Sequence, residues 1–113
     1  MHELALMHAL CDLALQTAQQ EGAYTIHSLQ VRIGDLSGVD GEALRQAFAV
    51  VTMDPNWKDT RLELAVVPTR CFCSNCQQAF KPTDVIHQCP HCGLLSHEVV
   101  QGRELELIGM EVS

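Results

Sequence analysis

Two Cys-x-x-Cys pairs, Cys73/Cys76 and Cys89/Cys92, constrain how this chain can fold more than any other feature. Five of its six cysteines fall between positions 71 and 92, and twelve residues separate Cys76 from Cys89. Two residues between cysteines let a tight knuckle turn aim both sulfurs at one point, and Gly93 relieves backbone crowding after the second pair. Two facing knuckles give four thiolates in a tetrahedron, a set that suits zinc. Such a closed site keeps no open coordination position, so its role is structural. It says how part of the chain folds and nothing about what the chain does. Competing readings fit less well. Two disulfides require an oxidising compartment, and the N-terminus shows no secretory signal pattern. A thioredoxin-type redox site needs one Cys-x-x-Cys at a helix start, whereas here two pairs are flanked by turn-forming residues. Iron also accepts four cysteines, and ligand type does not exclude it.

The length of 113 residues fits one domain, or one domain with a small appendage. Hydrophobic residues make up 47% and aromatics only 4%, so the core is built from Leu, Val, Ile and Ala. No apolar run is long enough to span a bilayer. A thiolate–metal site without a signal peptide points to the cytoplasm and to no membrane partner. The formal charge of −7, with seven Lys and Arg and no basic cluster, repels phosphate backbones. Binding of DNA or RNA, a common use of a zinc ribbon, is therefore not expected.

Residues 4–20 carry a helical pattern. His8, Asp12 and Gln16 form a polar stripe, opposite Leu6, Leu10, Leu13, Ala14 and Ala18, with Gly22 just beyond the end. Cys11 reads as a small buried hydrophobe. Residues 26–33 alternate as a strand, with Leu29, Val31 and Ile33 inward. A second helix spans residues 41–52, N-capped by Asp40, with Val39 and Leu44 as a hydrophobic staple. Pro55 stops it, and Trp57 is expected to pack against the body. Residues 61–67 form a second strand with Leu62, Leu64 and Val66 on one face. Short ribbon strands are expected at 77–81 and 85–88. Residues 103–112 form a third main strand, whose phase slip from Leu105 and Leu107 to Ile108 and Met110 predicts a bulge near Gly109. The expected fold is α+β: a small three-stranded sheet with two helices, plus an inserted four-cysteine zinc-ribbon-like module. The α+β domain covers residues 1–68 and 102–113, and the zinc-binding domain residues 69–101. Sheet edges of this kind can pair between chains, which allows a monomer or a homodimer.

The N-terminus reads Met1-His2-Glu3. By composition alone His2 is a solvated residue at a frayed end, and Glu3 complements the helix dipole. Chemistry permits more. With His at position 2, the α-amine, the intervening amide nitrogen and the imidazole can all reach one ion, and Glu3 can add an oxygen. A nitrogen-rich set of this kind suits Ni(II) or Cu(II).

Met1-His2-Glu3-Leu4, the segment Val31-Arg32-Ile33-Gly34-Asp35-Leu36-Ser37, the two cysteine pairs with Cys89-Pro90-His91-Cys92-Gly93, and the tail Glu104-Leu105-Glu106-Leu107 through Met110-Glu111-Val112 run end to end in the order of a known family. Together they resemble the hydrogenase nickel-incorporation proteins, HypA/HybF. The resemblance implies a nickel metallochaperone, not an enzyme. It implies that Ni(II) cargo is bound weakly by His2 with the Met1 amine, the His2 amide and Glu3. Zn(II) is then held by Cys73, Cys76, Cys89 and Cys92. The implied partners are the maturation GTPase HypB and the large subunit of [NiFe]-hydrogenase, and some relatives also supply urease. Cys71 looks like an accessory cysteine rather than a fifth ligand, Asp40 is accounted for by its capping role, and His8, His87, His91 and His97 read as exposed. His27 has no evident partner. Two rival functions stand beside this one. A zinc-ribbon protein-interaction adaptor would carry no nickel, and a thiol-redox enzyme would keep reactive thiols. The chain shows no nucleophile–base constellation and no phosphate loop.

Overall fold

The structure, a computed structural model, describes residues 2–82, 86–96 and 98–113. The chain runs α1 (Glu3–Gln20), β1 (Ile26–Gly34), α2 (Gly41–Val51), a 3-10 turn (Pro55–Trp57), β2 (Arg61–Val67), β3 (Arg70–Cys73), β4 (Gln78–Phe80), β5 (Glu98–Gln101) and β6 (Leu105–Val112). The strands form two three-stranded sheets, ordered β2-β1-β6 and β4-β3-β5. The α+β architecture and the two helices are as the sequence predicts.

In the first sheet β1 is central, parallel to β2 and antiparallel to β6. Parallel neighbours need a crossover, and α2 supplies it. Leu29, Val31 and Ile33 of β1 sit in register with Leu62, Leu64 and Val66 of β2, so one face of the sheet is apolar. Both helices pack on that face, and Met7, Leu10, Ala14, Leu44, Phe48 and Trp57 close the core. Two details depart from the expected pattern. The buried face of α1 is rotated toward Met7 and away from Leu13, which is 49% exposed, because the buried stripe runs through positions 7, 10, 11, 14 and 18. Val66 keeps the inward phase but is 61% exposed near the end of its strand.

The helix ends follow local chemistry. Asp40 caps α2, its Oδ1 accepting from Glu42 N–H at 2.9 Å and from Ala43 N–H at 3.5 Å. Gly22, at φ +73°, closes α1 while its own N–H donates to Gln19 and that of Ala23 donates to Ala18. This paired 5→2 and 6→1 arrangement needs the left-handed residue that glycine supplies. The bulge in β6 is present: Gln30 faces Gly109 and Val31 faces Leu107, leaving Ile108 as the extra residue. A Cβ at Gly109 would lie 2.8 Å from the Gln30 Oε1, so the bulge is kept open for that side chain.

The second sheet differs more from expectation. The ribbon strand at 77–81 is present as β4. No strand forms among the described residues of 85–88, where Gln88 makes only an isolated bridge to Leu95 and Val85 lies outside the described residues. β4 pairs instead with β3, which carries Cys71 and Cys73, and β5 completes the sheet. Strands of four and three residues hold too few alternations to show a period. Their core is a separate cluster: Cys71, Cys73, Phe80 and Cys89, with Cys76 and Val99 packed against it.

Candidate metal centre

Two knuckles bring four sulfurs together. The first leaves β3 at Cys73, and the N–H of Cys76 donates back to the Cys73 Sγ at 3.4 Å. Gln77 follows in a left-handed conformation, φ 56°. The second knuckle repeats this design. Gly93 N–H donates to the Cys89 carbonyl at 2.9 Å, and Gly93 follows Cys92 at φ +78°. The Cys89 N–H is fixed to the Leu94 carbonyl at 2.9 Å, and the Gln88 side chain ties the Gly93 carbonyl. Each second cysteine is thus followed by a left-handed residue that turns the chain away from the sulfurs.

The Sγ atoms of Cys73, Cys76, Cys89 and Cys92 all lie within 4.8 Å of one another. Cys73 and Cys92 are 3.6 Å apart, and Cys76 and Cys89 3.9 Å. Four sulfurs at about 2.3 Å from a common ion stand about 3.8 Å apart in a regular tetrahedron. The donor set therefore fits a four-coordinate thiophilic cation. All six cysteines are free of disulfides, and both pairs serve one site. Backbone N–H groups aimed at the second knuckle favour thiolate. The Leu94 N–H, with the Asn75 side chain, brings Cys92 down to about 6, and the Cys92 N–H lowers Cys89. Cys76 is pushed up to about 12, chiefly because it donates to Cys92.

Cys71 points elsewhere. It is fully buried in the small core, faces Phe80 and Val99 across the sheet, and has no place among the four sulfurs. Burial raises its thiol, with partial relief from Arg103. Cys11 is buried in the main core, where desolvation and the neighbouring Asp12 push it up to about 11. Both behave as small hydrophobes. His8 and His91 are exposed as expected, His87 is half-buried instead, and His97 lies outside the described residues. His27 does have a partner: its Nε2 lies 2.7 Å from the Ser113 Oγ. That pairing crosses 86 residues of sequence and left no local signal.

At the start of the chain, Met1 lies outside the described residues. His2 is the N-cap residue of α1, and its carbonyl accepts from Leu6 N–H at 3.1 Å. Its imidazole makes no capping bond and is exposed. Glu3 is half-buried, and its Oε1 accepts from the backbone N–H of Asp40 at 3.3 Å. The start of α1 is thereby tied to the start of α2. This contact was not read from the sequence; an acid at each helix start was the only sign of it. Among the described residues, the four cysteines form the only cluster of three or more metal-binding side chains.

Comparison with known proteins places these features in one lineage. Residues 1–112 match the family described as hydrogenase/urease nickel incorporation, metallochaperone, hypA. A hydrogenase maturation factor HypA from a Synechococcus species is 43% identical over 112 residues, covering 99% of both chains. The HypA of a Picosynechococcus species is 38% identical over the same length and coverage. The solution structure of the Ni metallochaperone HypA from Helicobacter pylori aligns with a TM-score of 0.68 at 26% identity, covering 99% of this chain and 97% of that one. A second HypA solution structure aligns at 0.72, again at 26% identity, covering 100% and 97%. With two helices on a small sheet and a four-cysteine metal-binding site, the chain belongs to the HypA family of nickel-incorporation metallochaperones that act in hydrogenase maturation.

Proposed function

We propose that this protein carries Ni(II) at its N-terminus and delivers it during maturation of [NiFe]-hydrogenase, with a structural Zn(II) in the four-cysteine site. The observation that carries the reading is the separation of two donor sets. One is closed and thiolate-rich; the other is an exposed imidazole at a helix start. The ligands proposed for nickel are His2, the Met1 amine, the His2 amide and Glu3. Those for zinc are Cys73, Cys76, Cys89 and Cys92, in a zinc-binding domain of residues 69–101 set into a nickel-binding domain of residues 1–68 and 102–113. Zinc supplies a cross-link that fixes the knuckles and no open position for chemistry.

A delivery protein must release its cargo. A terminal site of nitrogen and oxygen donors, outside the packed core, suits transfer better than a thiolate cage. His2 is suited to it because its backbone is held by the helix while its imidazole has no capping duty. The Glu3 Oε1 accepts from the Asp40 amide, which holds the carboxylate beside the start of α1. No helix of the described residues is long and apolar enough to cross a membrane, and the proposed setting is the cytoplasm. The proposed partners are the maturation GTPase HypB and the hydrogenase large subunit. The chain acts as a carrier rather than a catalyst, alone or as a homodimer.

Calorimetric nickel titration of untagged, zinc-loaded protein tests this reading. One Ni(II) per chain is expected for wild type, and loss of that binding in His2→Ala with zinc content unchanged. Equal binding by both proteins would move the nickel site elsewhere and favour a zinc-ribbon adaptor that carries no nickel.

A further inference from the structure

The segment 34–40 bonds to both connections between the two sheets. Gly34 N–H donates to the Glu104 carbonyl at 2.7 Å, Asp35 N–H to the Val67 carbonyl at 3.0 Å, and Leu36 N–H to the Gly102 carbonyl at 2.6 Å. The Asp35 Oδ2 accepts from Thr69 N–H at 3.2 Å, on the outgoing connection. On the returning one, the Glu104 Oε1 accepts from Gly102 N–H at 2.6 Å, a bond that also holds the Glu104 carboxyl below the usual range. The Gln101 side chain donates to the Pro68 carbonyl at 2.9 Å and joins the two connections directly. Packing leaves no slack. A Cβ at Gly34 would fall 2.0 Å from the Gly102 carbonyl oxygen, and one at Gly102 would fall 2.9 Å from the Thr69 Cα. At its far end the same segment reaches Asp40, whose N–H is held by Glu3.

We propose that segment 34–40 is a clamp that fixes the four-cysteine module relative to the helical body and its N-terminus, with Asp35 and Glu104 as its positioning residues. Two short connections alone would form a hinge. Here each is bonded to segment 34–40, the outgoing one through the Asp35 carboxylate and the returning one through the Gly34 and Leu36 N–H groups, while the Glu104 carboxylate stiffens the returning one from within by its bond to the Gly102 N–H. A delivery partner then meets the cysteine end and the His2 end as one rigid surface. That consequence rests on the nickel reading above; the fixed orientation does not.

The test uses residual dipolar couplings on the zinc-loaded full chain, without nickel. Wild type is expected to fit one alignment tensor across both sheets. Asp35→Ala and Glu104→Ala are expected to lose the common tensor while each sheet still fits its own and zinc content holds. Asp35→Asn and Glu104→Gln keep an acceptor oxygen and are expected to restore the single tensor. The Asp40 amide resonance should move in Asp35→Ala and return in Asp35→Asn. Separate tensors in wild type, or a single tensor in both alanine variants, would overturn the clamp. Because no nickel is present, that failure would leave the nickel assignment standing.

Discussion

Stripping the metal from zinc-loaded protein should unfold the second sheet and leave the first folded. The small core consists of Cys71, Cys73, Phe80 and Cys89, with Cys76 and Val99 at its margin. Among the described residues, only Phe80 and Val99 add apolar side chains that are not cysteines, each contributing about 1.5–3 kcal/mol if fully buried. Ordering the backbone costs about 1–2 kcal/mol per residue, and β3, β4 and β5 are short. The difference must come from metal ligation, which contributes about 10–16 kcal/mol for structural zinc in small folds. Among the described residues, the main core shares none with this cluster. Amide spectra recorded before and after chelation check the prediction. Signals from β3 to β5 should collapse to unstructured positions while those of β1, α1 and α2 stay dispersed. Retention of dispersed β3 signals, with metal loss verified by elemental analysis, would show that packing alone holds the module.

A single glycine placed before Met1 should weaken nickel binding by about 10–100-fold or more, a range that even indirect partners of a metal site reach when lost. The proposed chelate needs the terminal amine next to His2, and the added residue moves that amine away. His2 itself cannot follow, because its carbonyl is bonded into the first turn of α1. Folding should be untouched, since the addition lies outside both cores. Competition against a colorimetric nickel chelator gives the affinity ratio. An unchanged ratio would exclude the amine and leave His2 to bind with other donors.

Much of this architecture was legible in the residues. The cysteine spacing announced the tetrad because ligand geometry is local to each knuckle. Asp40, Gly22 and the phase slip at Ile108 announced a cap, a helix end and a bulge for the same reason. The features that are not legible are non-local or too short. β3 and β5 have four residues each and take their partners from distant sequence. The Glu3–Asp40 bond spans 37 residues and the His27–Ser113 bond 86. Met7 is buried and Leu13 exposed because the exact rotation of a broad apolar stripe is set only when the neighbouring helix is placed. The Gly34-Asp35-Leu36 segment was visible as a motif, but its work became clear only when both connections were seen beside it.

The most direct measurement is the nickel content of a [NiFe]-hydrogenase large subunit matured with this chain as the sole nickel-incorporation protein, wild type against His2→Ala. Zinc is assayed in both carrier proteins. Delivery from the N-terminus predicts a nickel-loaded subunit with wild type and an empty one with His2→Ala, each carrier retaining one zinc. A subunit equally loaded by both would contradict it and assign delivery to another part of the molecule.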